Sequence, residues 1–191
     1  MRRLIIPLLL CFCNIALCSS PAQPVVETSV NEAGTQVEYT IRLASFEASA
    51  PASKWDERIM DSGTSDWVAE SEGLHQQRRA AWERLSAEIN EDLKARGQAA
   101  VVQDKLKPFL QPCREMLDRA NVTYSMTFSQ KGELLQVAFI LHLNDAHTGQ
   151  IPLSEDQCRA LFNELSRLNI VSPWEDQDLY RIQWVGRIEL D

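Results

Sequence analysis

"VTYSMTFSQKGELLQVAFILHL", Val122 to Leu143, reads as two strands joined by a tight turn. Val122, Tyr124, Met126 and Phe128 alternate with Thr123, Ser125, Thr127 and Ser129, the period-2 pattern of a strand buried on one face. "QKGE" supplies the turn, with Gly132 free to take a positive φ. The return strand carries Leu135, Val137, Phe139, Leu141 and Leu143 on one face. Leu134, Gln136, Ala138, Ile140 and His142 fall on the other, a half-apolar face that invites a cover.

Helices flank this hairpin on both sides. Upstream, Leu106, Phe109 or Leu110, Cys113, Leu117 and Ala120 make a stripe over Lys105–Ala120. Pro108 and Pro112 interrupt it, since a proline lacks the N–H that an interior position needs. Downstream, "SEDQ" from Ser154 is a capping-box pattern, and Cys158, Leu161, Phe162, Leu165 and Leu168 follow at helical spacing. A last strand spans Leu179–Leu190, with Tyr180, Ile182, Trp184, Gly186, Ile188 and Leu190 on one face. Tyr124, Met126, Phe128, Val137, Phe139, Ile182, Trp184 and Ile188 are therefore expected to form one apolar sheet face under the helices.

The N-terminal half is less regular. "VVETSV" (Val25–Val30) and "TQVEYTIRL" (Thr35–Leu43) flank "NEAG" and read as a strand pair, placed at the sheet edge or as a separate flap. Phe46–Leu74 is rich in Ser, Ala, Asp and Glu and reads as a long loop with a short helix near Trp55–Met60. Trp55 and Trp67 either pin that loop to the core or serve as partner contacts. Gln76–Arg96 is a helix through Trp82, Leu85, Ile89 and Leu93, with Gly97 placed to end it. The expected class is α+β: a small antiparallel sheet with helices packed on one face, in the order helix-strand-strand-helix-strand, plus an N-terminal strand pair and helix.

The first residues carry an address. "MRRLIIPLLLCFCNIALCSS" has two arginines, an apolar run, then the small, polar "CSSPAQP", the three parts of a secretory signal over residues 1–22. The apolar run is short against the roughly 20 residues of a membrane span. Ser20 and Ala22 suit cleavage after Ala22. "IALC" alternatively matches a bacterial lipobox with Cys18 lipidated, although Leu17 replaces the usual small residue. The remainder divides into 23–104 and 105–191.

Of 19 Lys and Arg, two precede the cut, so the mature charge is 17 − 27 = −10. Nucleic acid and anionic membrane surfaces reward clustered basic residues and are poor partners for such a chain. Membrane contact is expected only through a lipid on Cys18. With Cys11, Cys13 and Cys18 in the signal, two of the five cysteines remain, Cys113 and Cys158. An oxidising compartment favours a disulfide between them; the other reading is two buried thiols.

From about Leu106 onward, the element order with "VTYSMTFSQKGELLQVAF", "CRALFNELSRLNIVSPW" and a closing strand resembles the C-terminal domains of TonB and TolA, covering under half of the chain. Cys158 lies where TolA-like domains carry a disulfide cysteine. Cys113 departs from that pattern by preceding the first strand. The resemblance implies a shared envelope module and does not imply energy transduction.

The chain has no G-x-S-x-G, H-E-x-x-H, C-x-x-C or phosphate-cradling glycine loop. In "HLNDAH", His142, Asp145 and His147 offer two imidazoles and a carboxylate, but no further ligand is identifiable, and solvated loop residues are the plainer reading. Neither a catalytic set, a metal nor a cofactor is expected. The expectation is a periplasmic or secreted envelope protein that binds a protein partner or acts structurally, through the free edge or open face of its sheet. The alternative is an acidic immunity or inhibitor protein that neutralises a basic toxin or hydrolase.

Overall fold

The computed structural model describes residues 23–61, 67–174 and 178–191, without the side chains of residues 67–71. The signal segment and Cys18 lie outside these residues.

The fold is α+β. Five strands, β1 (Val25–Val30), β2 (Gln36–Arg42), β3 (Asn121–Ser129), β4 (Leu134–His142) and β5 (Arg181–Glu189), form one antiparallel sheet in the order β1-β2-β4-β3-β5. Among the described residues four α-helices accompany it: α1 (Lys54–Asp61), α2 (Trp67–Ala95), α3 (Gln98–Leu110) and α4 (Glu155–Leu165). The N-terminal strand pair joins the sheet through β2 and β4, and a boundary at 104/105 falls inside α3.

The alternation read in the hairpin has its physical consequence here. Tyr124, Met126, Phe128, Val137, Phe139, Ile182, Trp184 and Ile188 are all buried, on the face beneath α3 and α4. Val37, Tyr39 and Ile41 of β2 continue the same face. Opposite Tyr124 in the register stands Gly186, and a Cβ at that position would meet the Tyr124 ring. That vacancy lets the Tyr124 ring lie across β5 and meet Trp184 edge-on at 5.7 Å.

A β-bulge between Thr127 and Phe128 corrects one expectation. Phe128 pairs with Leu134, and Thr127 with Gln136, so Leu135 is the extra residue. Leu134 thereby moves to the buried face and Leu135 is only half-buried. Tyr180 also departs from the reading: it is exposed, because strand pairing with β3 starts at Arg181.

The upstream helix starts and stops earlier than its stripe suggested. Gly97, at φ 68°, ends α2, and α3 begins at Gln98. Pro108 is tolerated in the last turn of α3. At Pro112 the missing N–H ends the α-helix, and Gln111–Met116 tightens into a 3₁₀ turn before Leu117 turns extended. α4 starts as read and ends earlier, at Leu165 before Leu168: Ser154 Oγ accepts from the Gln157 backbone N–H, and the Gln157 side chain accepts from the Ser154 backbone N–H.

The short helix read near Trp55–Met60 forms as α1, and the segment otherwise read as a long loop also contains the start of α2. Tertiary bonds hold it: Lys54 N–H donates to the Asp178 carbonyl at 2.9 Å, and Tyr180 N–H to the Ala52 carbonyl at 2.9 Å. No helix among the described residues is long and apolar enough to cross a membrane.

Burial also sets the alkaline limit of the fold. The Tyr39 phenol is pushed up to about 12, chiefly by burial, with the Leu153 backbone hydrogen bond acting the other way. Burial likewise pushes Tyr124 to about 12 and, with Cys113 adding to it, the Cys158 thiol to about 11. These groups bind protons more tightly when folded, so their contribution is complete below the unfolded values of 9.0 and 10.0 and disappears as pH rises toward 12. Thermal melts should hold steady up to about pH 9 and fall progressively between about pH 9 and 12. A melting temperature unchanged at pH 12 would contradict this burial.

Candidate functional site

On the face away from α3 and α4, residues 46–52 form a strap across one end of the sheet. Arg181 at the start of β5 holds it: its guanidinium donates to the carbonyls of Glu47 (3.1 Å), Ala48 (2.9 Å) and Ala50 (2.6 Å), and lies 5.3 Å from the Phe46 ring centre. Arg42 Nη1 adds a bond to the Phe46 carbonyl at 2.9 Å. Arg181 is half-buried, and that desolvation lowers its pKa. Thr127, read as solvent-facing, is buried on this side of the sheet; it borders a cleft of about 420 Å³ with Phe46, Gln136, Arg181 and Gln183.

Next to the strap, α1 and α2 enclose a larger cleft of about 1010 Å³. Its large apolar residues are Ile59, Met60 and Trp82, and Asp56, Glu72, His75, Arg78, Arg79 and Arg181 are among its polar lining. Met60 is 66% exposed, high for a methionine in a concave site. α1 is positioned by Ser53, whose buried Oγ accepts from the Asp56 N–H at 3.2 Å and donates to the Asp56 carboxylate at 3.1 Å. The same carboxylate accepts from the Ala52 N–H at 3.1 Å and pairs with Arg78 of α2. Arg79 is bonded to Glu83 at 2.9 Å. Asp56, Arg78 and Arg79 of the cleft are thus paired within the chain. Beside these pairs stand Ile59, Met60 and Trp82, side chains that recognise shape and apolar contact more than net charge.

Trp55 lies on α1 and is half-buried, with the Arg58 guanidinium 4.8 Å above its ring. It is not among the residues that line the cleft. Trp67 is the first residue of α2, and its side chain lies outside the described residues. Apart from Trp82, which was read as part of a buried helical stripe, the cleft residues were missed because no apolar periodicity marks them. One signal was present: Ser53-x-x-Asp56 is a helix-start pattern, and it would have placed α1 at its true first turn.

Cys113 and Cys158 are separate thiols here, both buried, and both lie near enough to Tyr39 to raise its pKa. Their own pKa values are raised by burial, so neither has the character of a reactive thiolate. His142 Nδ1 lies 3.2 Å from Gln36 Nε2, and His147 Nδ1 lies 2.8 Å from Asn144 Oδ1. The described residues contain no group of three or more His, Cys, Asp or Glu that would hold a metal ion.

No model of a known protein family matches this chain, and no curated protein matches it. Among solved structures, the chain is similar to the crystal structure of a DUF5043 family protein from Bacteroides uniformis ATCC 8492. The identity is 10%, over 90% of this chain and 88% of that one, with a TM-score of 0.47.

Proposed function

We propose that this chain is an exported envelope protein that works by protein contact, receiving a protruding apolar segment of its partner in the α1–α2 cleft. The observation that carries the reading is Met60. A large, flexible apolar side chain stands two-thirds exposed in a concave site beside Trp82, with paired charges around it. Methionine adapts to varied partner surfaces, and an apolar centre within a polar rim is the usual anatomy of a contact hot spot.

Affinity capture from envelope extract tests it. Met60→Glu places a charge in the cleft at a position whose exposure keeps the cost to the fold within about 0.5 kcal/mol. The variant should fold normally and lose the partner that the parent chain captures. Capture of the same partner by both would overturn the cleft as the contact site.

Export carries its own consequence. In an oxidising compartment Cys113 and Cys158 would close a disulfide, contributing roughly 2–4 kcal/mol. Mass analysis of the native protein should find a start between Cys18 and Gln23 and two thiols that take up an alkylating label only after reduction. A native chain beginning at Met1, or thiols labelled on unfolding without reductant, would remove the export reading and the bridge respectively.

A further inference from the structure

The two edges of the sheet are treated differently. β5 is flanked by α2 and α3, and Gln103 Nε2 donates to its Arg187 carbonyl at 3.2 Å. Among the described residues, β1 pairs with no strand but β2, so the outer side of Val25–Val30 is a strand edge; Arg159 of α4 donates to the Pro24 carbonyl just before it at 3.4 Å. Such edges are commonly protected by lysine, an internal proline or a bulge. β1, "VVETSV", has none of these within its length.

The hydrogen-bond parity of this edge is fixed by its neighbours. Asn31 N–H donates to the Gln36 carbonyl at 3.1 Å, so Asn31 and Gln36 are a bonded pair. In an antiparallel ladder bonded pairs recur every second residue. Ser29, Glu27 and Val25 therefore bond inward to β2, while the N–H and C=O groups of Val26, Thr28 and Val30 point outward. Their side chains share the helix-covered face, because they pair with Ile41, Tyr39 and Val37.

We infer that β1 pairs antiparallel with β1 of a second copy of this chain, about a two-fold axis through Thr28, to make a continuous ten-stranded sheet. This register opposes Thr28 to its own copy and Val26 to the second copy's Val30. All three outward-pointing residues of each strand then meet outward-pointing residues of the other. Val30, 39% exposed in the single chain, gains an apolar cross-strand neighbour. The one charge on the strand, Glu27, is held by Arg42 at 2.6 Å and faces the second copy's Ser29. The next register, centred on Glu27, would oppose the two carboxylates. It would also set Val30 against Pro24, which has no N–H to give. A self-complementary edge with one charge, already neutralised, favours a second copy over an unrelated strand. No residue of the α1–α2 cleft takes part in this pairing, so the cleft stays open to a partner in the dimer.

The test is sedimentation of the purified protein over a wide concentration range, with three variants. The parent chain should show a monomer–dimer equilibrium. Thr28→Pro removes only an outward N–H and keeps the inward bonds of β1, so its melting temperature should stay close to the parent's. Its dimer dissociation constant should rise about tenfold or more, from two lost intermolecular backbone bonds. Under oxidation Thr28→Cys should cross-link to its own copy, whereas Glu27→Cys should cross-link poorly. A parent chain monomeric at every concentration overturns the inference. So does a Thr28→Pro variant that dimerises as the parent does. Stronger cross-linking through Glu27→Cys than through Thr28→Cys overturns the register.

Discussion

Replacing Phe139 by alanine should cost about 3–5 kcal/mol of folding stability, the range for removing a fully enclosed aromatic ring. Phe139 sits at the centre of the sheet, paired with Tyr39 on one side and Tyr124 on the other. Its ring stacks on that of Tyr39 at 5.2 Å and is 2% exposed. Tyr39 cannot swing into the space left behind. Its hydroxyl accepts from the Leu153 N–H at 3.0 Å, and moving it would leave a buried amide unpaired. The cavity therefore stays largely open, and the loss should fall high in the range. Ile140→Ala, one residue along and pointing away from the helices, should change stability by only about 0.5 kcal/mol. Urea unfolding of both variants measures the contrast. A cost below about 1 kcal/mol at Phe139 would mean that the ring is not packed as described.

Gly132→Ala should be comparably damaging, at about 2–5 kcal/mol, and two separate causes add. Gly132 has φ 78°, a left-handed conformation that costs a residue with a Cβ about 1–2 kcal/mol. A Cβ there would also run into the Val171 carbonyl oxygen, and that steric cost is about 1–3 kcal/mol. Gly149→Ala separates the two causes. Gly149 shares φ 78°, but nothing lies within contact of its added Cβ, so only the conformational part should appear. Equal losses at the two glycines would show that the approach of Val171 has no weight.

The comparison at Gly132 marks where sequence reasoning stops. A turn between two alternating strands calls for a glycine, and that requirement is local. The chain that passes over the turn, Val171 to Pro173, is nearly forty residues away in sequence, and no local pattern points to it. The bulge at Thr127 and Phe128 is similar. Both strands alternate cleanly, and the offset that moves Leu134 inward appears only when their registers are laid against each other.

The site was less legible than the sheet for a related reason. β3, β4, α4 and β5 bury one face each, so their apolar residues repeat at the period of the element. The cleft depends on a strap without periodicity, on one arginine reaching three carbonyls, and on the Asp56–Arg78 pair between two helices. Trp55 and Trp67 stood out in the sequence because tryptophan is rare and large. Trp82, which does line the cleft, looked like an ordinary member of a buried helical stripe.

By itself the sequence determined the α+β class, the hairpin and its buried face, the capped fourth helix and the closing strand, because each follows from short-range periodicity and local hydrogen bonding. Only the tertiary structure decided that the N-terminal strands join the same sheet through β2 and β4, and that β5 is flanked by helices while, among the described residues, the outer edge of β1 has no strand partner. It also decided that α1 and α2 close on a cleft. These outcomes depend on which elements meet across long stretches of chain. Such contacts are selected by total burial and by satisfaction of distant backbone groups, and neither leaves a period in the sequence.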